Sequence, residues 1–190
     1  MKALNFYSVS ANTQIVQPTL PTNVTLDSPA SLVLTDFTVR EPFTVTAQLS
    51  ATHAEQLMRM EHVKLALVTG ANEQLLGAVS VDDLSGEAVI KRVASGYSRE
   101  DLKVQDFMRP LSSLKAMAFS ELRQATLRDL VAALSESGQQ HCLVVDQGGE
   151  QVRGLISSSD LARVLKLPID IQSRSSFVAV FKAIRGSAAA

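Results

Sequence analysis

The chain has 190 residues, 46% of them hydrophobic and 19% charged, and its 18 basic and 19 acidic side chains leave a net charge of −1. That length fits one domain or two small ones with a genuine core, and the balanced charge argues against a nucleic-acid binder. One cysteine, Cys142, excludes an internal disulfide, and no stretch approaches the length of a membrane span. We therefore expect a cytoplasmic, soluble protein that contacts neither nucleic acid nor membrane.

The first 28 residues predict an extended arm. They are rich in Thr, Asn, Gln, Pro and Val, and Pro18 and Pro21 remove donors that a central strand needs. Such an arm lies across its own domain or across a partner subunit. Ser28 followed by Pro29 is typical of a helix start, so the sequence predicts a short helix over Ala30 to Phe37.

The next elements form a first unit. A proline-led strand is predicted over 41–46, and a helix over 50–61 places Ala54, Leu57 and Met58 on one face. Two apolar runs, 65–68 and 75–79, flank a polar turn and predict a hairpin. A helix over 87–94 follows, and Gly96 ends it.

A second unit repeats this order, with a strand over 114–119, a helix capped by Thr126, a hairpin of runs 142–145 and 152–156, and a helix from Ser157. Its lead-in LKVQDF (102–107) resembles LVLTDF (32–37) at an offset of 70. A last amphipathic helix is predicted over 173–184. It covers the core of its own chain or meets a second subunit.

Two stretches, 64–84 and 141–161, align without a gap. Gly154 minus Gly77 gives 77, and Asp160 minus Asp83 gives the same value. Each copy ends in Gly-x-x-Ser-x-x-Asp-Leu. The Ser-x-x-Asp step predicts a capping box, in which the serine oxygen accepts from the third amide and the carboxylate reaches back to the cap amide. One structural unit is therefore used twice.

This duplicated pattern resembles cystathionine-β-synthase (CBS) domains over about residues 29–172, and LKVQDFMRP (102–110) resembles the segment that precedes such a unit. The resemblance implies an α+β (α/β) fold of two tandem β-α-β-β-α units packed pseudo-symmetrically. We expect an arm at 1–28, a first unit at 29–97, a second unit at 98–172, and a terminal helix and tail at 173–190.

The resemblance also implies a function. CBS pairs, or Bateman modules, commonly bind adenosine-containing ligands such as AMP, ADP, ATP or S-adenosylmethionine in two clefts between the units. In the family pattern the serine lies near the ribose-phosphate and the Asp accepts from the ribose hydroxyls. Those roles fall on Ser80 and Asp83 in one cleft and on Ser157 and Asp160 in the other.

Elementary chemistry agrees with these roles. Amides at a helix start suit a phosphate, and an ionised Asp can accept from both hydroxyls of a ribose. Strand backbone near Leu65 or His141 could meet the adenine edge, and Lys64, Arg109, His141, Arg153 and Arg163 lie near the motifs in sequence. The predicted ligand-binding residues are Ser80, Asp83, Ser157, Asp160, Lys64, Leu65, His141, Cys142 and Arg109.

Two hypotheses follow, and both are non-catalytic. In the first, a homodimeric regulatory module binds an adenine nucleotide, requires no other cofactor, and signals to a separate effector protein by a population shift. In the second, the clefts are empty, the Ser and Asp residues are only caps, and the chain is a dimerisation scaffold. An enzyme would need a titratable cluster that the sequence lacks, and zinc would need ligand spacing that is also missing.

Overall fold

The structure is a computed structural model that describes Ser8, 23–135, 138–167 and 176–187. In chain order the strands are β1 (Leu34–Asp36), β2 (Thr44–Thr46), β3 (Leu65–Thr69), β4 (Leu75–Ser80), β5 (Arg109–Pro110), β6 (Ala116–Ala118), β7 (His141–Asp146) and β8 (Gln151–Ser157). The α-helices are α1 (Ala51–Met60), α2 (Gly86–Ala94), α3 (Phe119–Leu122), α4 (Leu127–Leu134), α5 (Ser158–Val164) and α6 (Phe177–Ser187). The predicted mixed α+β class is confirmed.

The strands form two sheets of the same design. One has the order β2-β3-β4-β5 and the other the order β6-β7-β8-β1. In each sheet the first pair is parallel and the other pairs are antiparallel. Both predicted hairpins are therefore present, as β3–β4 and β7–β8, because alternating apolar runs around polar turns specify such pairs locally.

The helix predicted over Ala30 to Phe37 is wrong. A 3₁₀ turn covers only Ala30–Val33, and the chain then enters β1, which pairs antiparallel with β8. Helix propensity is a weak local preference, and pairing with a distant strand overrides it here. The short strand β5 was not predicted at all, because its two residues carry no periodic signal.

Each sheet is completed by a strand from outside its own repeat. β1 precedes the first hairpin but belongs to the second sheet, and β5 precedes the second hairpin but belongs to the first sheet. The close approach depends on glycine, since a Cβ on Gly77 would overlap the carbonyl oxygen of Arg109, and one on Gly154 would overlap that of Thr35. The two halves are thus tied together by exchanged strands.

The predicted offset of 70 between the two lead-in segments is wrong. Ala30 N donates to Ala125 O in one half, and Val104 N donates to Leu49 O in the equivalent position of the other. Val104 minus Ala30 gives 74. The segment that begins at residue 102 is therefore equivalent to the one that begins at residue 28. Sequence similarity had matched it to the segment that begins at residue 32, four residues too far along the chain.

The apolar core consists of three clusters, one within each half and one between the two sheets. The first lies between α1, α2 and its sheet, and the second lies between α4, α5, α6 and the other sheet. The third, which includes Leu65, Leu67, Ala78 and Leu143, lies between the two sheets. Each sheet therefore packs helices on one face and its counterpart on the other, which leaves the inter-sheet seam as the place where clefts can form.

The terminal helix α6 covers the core of its own chain. Phe177 and Val180 are buried against the second cluster, so of the two roles left open for this helix the structure shows the first. Part of the arm also lies on this half, where Leu26 O accepts from Arg128 N and Asp27 forms a 2.9 Å ion pair with Arg128. The rest of the predicted arm, and residues 173–175 and 188–190, lie outside the described residues.

Candidate functional site

A cleft of about 340 Å³ opens along the seam between the two halves. We call it the Asp160 cleft. Its apolar wall comes mainly from the first half, and its polar side mainly from the second. The lining residues are Thr35, Phe37, Arg40, Glu41, Pro42, Phe43, His62, Val63, Lys64, Leu65, Leu67, His141, Leu155, Ser157, Ser159, Asp160 and Arg163.

The predicted residues Ser157 and Asp160 meet at the end of β8 and the start of α5. Ser157 Oγ accepts from Asp160 N at 3.2 Å, which is one half of the predicted capping box. The carboxylate does not complete the other half, because Asp160 Oδ1 accepts from Arg163 at 2.7 Å. Asp160 Oδ2 makes none of the hydrogen bonds found among the described residues. This half-buried oxygen is therefore an available acceptor in the cleft wall.

Three cations line the Asp160 cleft, Arg40, Lys64 and Arg163, against two carboxylates, Glu41 and Asp160. Lys64 reaches from the first half to Ser159 Oγ of the second at 3.5 Å. The excess positive charge favours an anionic ligand. Because the cations come from both halves, such a ligand would touch both.

The expectation that helix-start amides bind phosphate is not met at two of these amides. Ser158 N donates to Gln140 O at 2.9 Å, and Asp160 N donates to Ser157 Oγ. In the other repeat, Val81 N donates to Lys64 O and Asp83 N to Ser80 Oγ. These two backbone donors of each repeat are occupied, so charged side chains are the better phosphate partners.

His141 lies between the two motifs, since it lines the Asp160 cleft and also interacts with the charges of Arg109 and Asp83. Leu65 has the equivalent position in the first half, and we call this place in the seam the axis. Each residue begins its hairpin, since Leu65 pairs with Ser80 and His141 with Ser157. The offset between them is 76, so the predicted gapless alignment at 77 is wrong by one residue in the first strand of the hairpin. His141 is only 8% exposed, and its Nδ1 has no hydrogen-bond partner in the part of the chain that the structure describes. Burial, followed by the charges of Arg109 and Lys64, lowers the pKa of His141 to about 4, although Asp83 and Asp82 oppose this.

The remaining predicted residues collect on the other side of the axis. We call Ser80, Asp82, Asp83, Arg109 and Gln140 the Asp83 region. Here the capping box is complete, because Asp83 Oδ2 accepts from Ser80 N at 2.9 Å and from Ser80 Oγ at 2.7 Å. Arg109 Nε lies 3.5 Å from the same oxygen. The carboxylate that should face a ribose is thus bonded within its own chain.

Cys142 does not line the Asp160 cleft. Its side chain belongs to the helix-covered core of the second half, because successive residues of β7 point to opposite faces. Burial raises the pKa of Cys142 to about 11. Its side chain is therefore not part of the site. The buried, apolar environment agrees with the neutral, unreactive thiol that we expect from the sequence.

Arg153 also lies away from the Asp160 cleft. It holds the exchanged strand β1 in place through Asp36 at 2.9 Å and Asp146 at 3.1 Å, and it stacks over Phe119 at 4.4 Å. Hydrogen bonds from Arg153 and Thr38 keep the pKa of Asp36 well below its usual range. Arg153 therefore has a structural role in the second half.

Sequence reasoning missed part of the cleft wall, notably Thr35, Phe37, Pro42, Phe43 and Leu155. Thr35 and Phe37 reach the cleft through the exchanged strand β1, which local patterns do not encode. Pro42 and Phe43 could have been identified from sequence, because they lie in the predicted strand 41–46 and lead directly into β2. None of the described helices is long and apolar enough to cross a membrane, and no metal-binding cluster of three His, Cys, Asp or Glu residues occurs in the described ranges.

Comparisons with known proteins agree with this architecture. A solved protein from Pyrococcus horikoshii matches with 18% identity and a TM-score of 0.55, covering 77% of this chain and 98% of its own. CBSX2 in complex with AMP matches with 22% identity and a TM-score of 0.50, covering 72% and 94%. The CBS domain of a bacterial CNNM/CorC family Mg²⁺ transporter in complex with ATP matches with 16% identity and a TM-score of 0.51, covering 74% and 89%.

The search of curated proteins gave no match. The family model for the CBS domain matches residues 34–89 and 122–167, which together are more than half of the 190 residues. Both matches fall inside the two predicted units. The chain therefore belongs to the CBS-domain family, whose members are regulatory modules.

Proposed function

We propose that this chain is a non-catalytic regulatory module that binds an adenine nucleotide in the Asp160 cleft and signals to a separate effector protein. One observation carries the proposal: a cleft of about 340 Å³ combines an apolar wall, the half-buried Asp160 carboxylate and a net excess of cations. Small-molecule sites in proteins have this composition, with a few polar groups placed on an apolar wall.

Each part of a nucleotide finds a chemical partner in the cleft. Asp160 Oδ2 suits the ribose hydroxyls, because an ionised carboxylate accepts and never donates. Phe37, Pro42 and Phe43 supply apolar and aromatic surface for the adenine ring. Lys64 and Arg163 suit the phosphates through charge-assisted hydrogen bonds. The same set suits AMP, ADP and ATP.

The solved relatives support the ligand class. One is described in complex with AMP and another in complex with ATP. Their sequence identities to this chain are 22% and 16%, so the likeness concerns the fold. The choice of an adenosine ligand for this chain rests on that fold together with the residues of the Asp160 cleft.

Signalling follows from the position of the cleft. Phe43 and Lys64 come from the first half, while Asp160 and Arg163 come from the second. A nucleotide that contacts both halves stabilises the relative orientation in which it binds best. An effector receives the signal only if it distinguishes that orientation from others, and the coupling is then reciprocal.

Calorimetry on the full chain tests the proposal, with AMP, ADP, ATP and S-adenosylmethionine as separate probes. We expect binding of at least one nucleotide, and a loss of about tenfold or more on Asp160→Ala, because a hydrogen bond to a charged group contributes about 1.5–3 kcal/mol. Asp83→Ala is the matched control at the equivalent position of the other repeat. No heat and no thermal shift with all four probes at millimolar concentration would remove the nucleotide proposal.

A second candidate, the dimerisation scaffold, is favoured by one surface. Ile90, Val93 and Tyr97 on and beyond α2 are 65%, 42% and 54% exposed and follow helical spacing. Apolar stripes of this kind mark association surfaces. Calorimetry together with sedimentation equilibrium separates the candidates: a scaffold binds none of the four probes and still dimerises, and Ile90→Ser with Val93→Ser makes it monomeric.

A further inference from the structure

We infer that Arg109 fills the Asp83 region as an internal cation and keeps nucleotide out of it, so that each chain binds one nucleotide, in the Asp160 cleft. This inference rests on the proposed function. It concerns a difference between the two repeats that their shared Gly-x-x-Ser-x-x-Asp motif conceals. The difference lies at three positions that the motif does not specify.

The first difference is at the exchanged strands. Gly154 pairs with Asp36 of β1, and Gly77 pairs with Pro110 of β5. The preceding residues, Thr35 and Arg109, are therefore equivalent, and their carbonyl oxygens approach the two glycines in the same way. A short threonine lines the Asp160 cleft. A long cation takes its place in the Asp83 region.

The Arg109 side chain is directed at the groups that a ribose would need. Its Nε lies 3.5 Å from Asp83 Oδ2, the oxygen that already accepts from Ser80 N and Oγ. This Nε is buried and makes no hydrogen bond with any residue that the structure describes. Its charge also acts on the buried His141 at the axis. The buried Nε of Arg109 thus lies beside the acid of the motif.

Two further differences weaken the Asp83 region as a phosphate site. At the offset of 77, Ser159 of the Asp160 cleft corresponds to Asp82, and Arg163 corresponds to Gly86. Asp82 accepts from Gln140 at 3.2 Å across the seam, where the other half places Lys64 against Ser159. A carboxylate replaces a hydroxyl, and the cation equivalent to Arg163 is absent. Asp82 and Asp83 therefore outnumber Arg109 here, and the Asp83 region attracts phosphate less than the Asp160 cleft, where cations outnumber carboxylates.

Two experiments on the full chain test the inference. In ¹H–¹⁵N spectra, with assignment by Arg109→Lys, we expect a slowly exchanging Arg109 Nε–H that stays unchanged on titration with AMP or ATP. In calorimetry we expect one nucleotide per wild-type chain and two per chain of the graft Arg109→Thr/Asp82→Ser/Gly86→Arg, which carries the residues of the Asp160 cleft at the three positions that differ. Adding Asp160→Ala to the graft should leave one event, and circular dichroism confirms that each variant is folded.

The outcomes separate this inference from the proposed function. Two nucleotides per wild-type chain, or a folded graft that still binds one, overturn the role of Arg109 and leave the nucleotide site at Asp160 standing. A fast-exchanging Arg109 Nε–H overturns the packing of Arg109 whether or not nucleotide binds. Absence of binding to the wild-type chain overturns the proposed function, and the exclusion of nucleotide by Arg109 falls with it.

Discussion

The Asp160 cleft and the Asp83 region have equivalent strand pairing but different side-chain chemistry. Both follow a glycine that admits an exchanged strand, and both carry Ser-x-x-Asp at the end of a hairpin. Asp160 is bonded to a surface arginine and lines an open cleft, whereas Asp83 closes its own capping box beside Arg109. The motif therefore sets the turn geometry, and residues outside it decide whether a ligand can enter.

The largest expected effect concerns the axis between the two regions. His141→Leu places the residue of the equivalent position, Leu65, at this site. The pKa of His141 falls from 6.5 to about 4 on folding, chiefly through burial, so the unfolded chain binds the proton more readily. Stability is then retained above pH 6.5 and lost as the pH falls toward 4, by on the order of 3 kcal/mol at ~1.4 kcal/mol per pKa unit.

Urea unfolding of the wild-type chain and His141→Leu at several pH values measures this loss. We expect the difference between the two free energies of unfolding to change steeply from pH 6.5 to 4 and to level off on either side. If the free energies of unfolding of the two proteins instead change in parallel with pH, then His141 binds protons equally in the folded and unfolded states. That result would mean that its side chain is hydrated in the folded protein.

The second prediction tests what the two halves share. A Cβ at Gly77 or Gly154 would overlap a backbone oxygen, which cannot turn away as a side chain can. We expect Gly77→Ala and Gly154→Ala each to lower the free energy of unfolding by roughly 2–3 kcal/mol. Gly86→Ala is the control, since nothing lies within 4 Å of its added Cβ. An effect at only one of the two glycines would mean that the exchanged strands are not equivalent.

The third prediction separates capping from binding. Asp83→Ala removes two hydrogen bonds to Ser80, so it should lower the free energy of unfolding by about 1 kcal/mol. Asp160→Ala should cost less stability, because among the described residues its carboxylate bonds only the exposed Arg163. Thermal melts without ligand give this ranking. If Asp160→Ala is the more destabilised protein, then Asp160 is a structural cap.

The smallest expected effect concerns the ion pair that holds β1. Arg153 and Asp36 have Leu76 and Pro110 at the equivalent positions, so β5 has no such pair. Hydrogen bonds from Arg153 and Thr38 hold the pKa of Asp36 below 3.8. Its contribution is therefore present above pH 3.8 and is lost as the pH falls below that value. The stability gap between wild type and Asp36→Asn should narrow from pH 5 to 2; a constant gap contradicts the ion pair.

Local patterns were enough to predict the hairpins, α1, α4 and the duplication. Residues such as Leu65 to Val68 and Thr126 with Asp129 encode their structure within a few positions. β1 and β5 could not be predicted, because their partners Gly154 and Gly77 lie far along the chain. The same reason explains the missed wall residues Thr35 and Phe37, which lie on β1 or directly after it.

The site residues also divide into those that local sequence could identify and those that depend on the register of distant strands. Ser157, Asp160, Lys64, Leu65 and His141 were chosen from sequence, and the structure brings them to one cleft. Their binding role remains a prediction. The motif treated Asp83 as an equal of Asp160, and only the register of the exchanged strands shows that Arg109 stands where Thr35 does. Comparison of equivalent positions in the two halves therefore shows a difference between the two sites that the motif alone does not.

A crystal structure of the full chain grown with ATP tests the central claim most directly. The prediction is one nucleotide per chain, with its ribose hydroxyls on Asp160, its adenine against Phe37, Pro42 and Phe43, and Arg109 still beside Asp83. An empty Asp160 cleft at saturating ATP, or a nucleotide bound at Asp83 in place of Arg109, would contradict the claim.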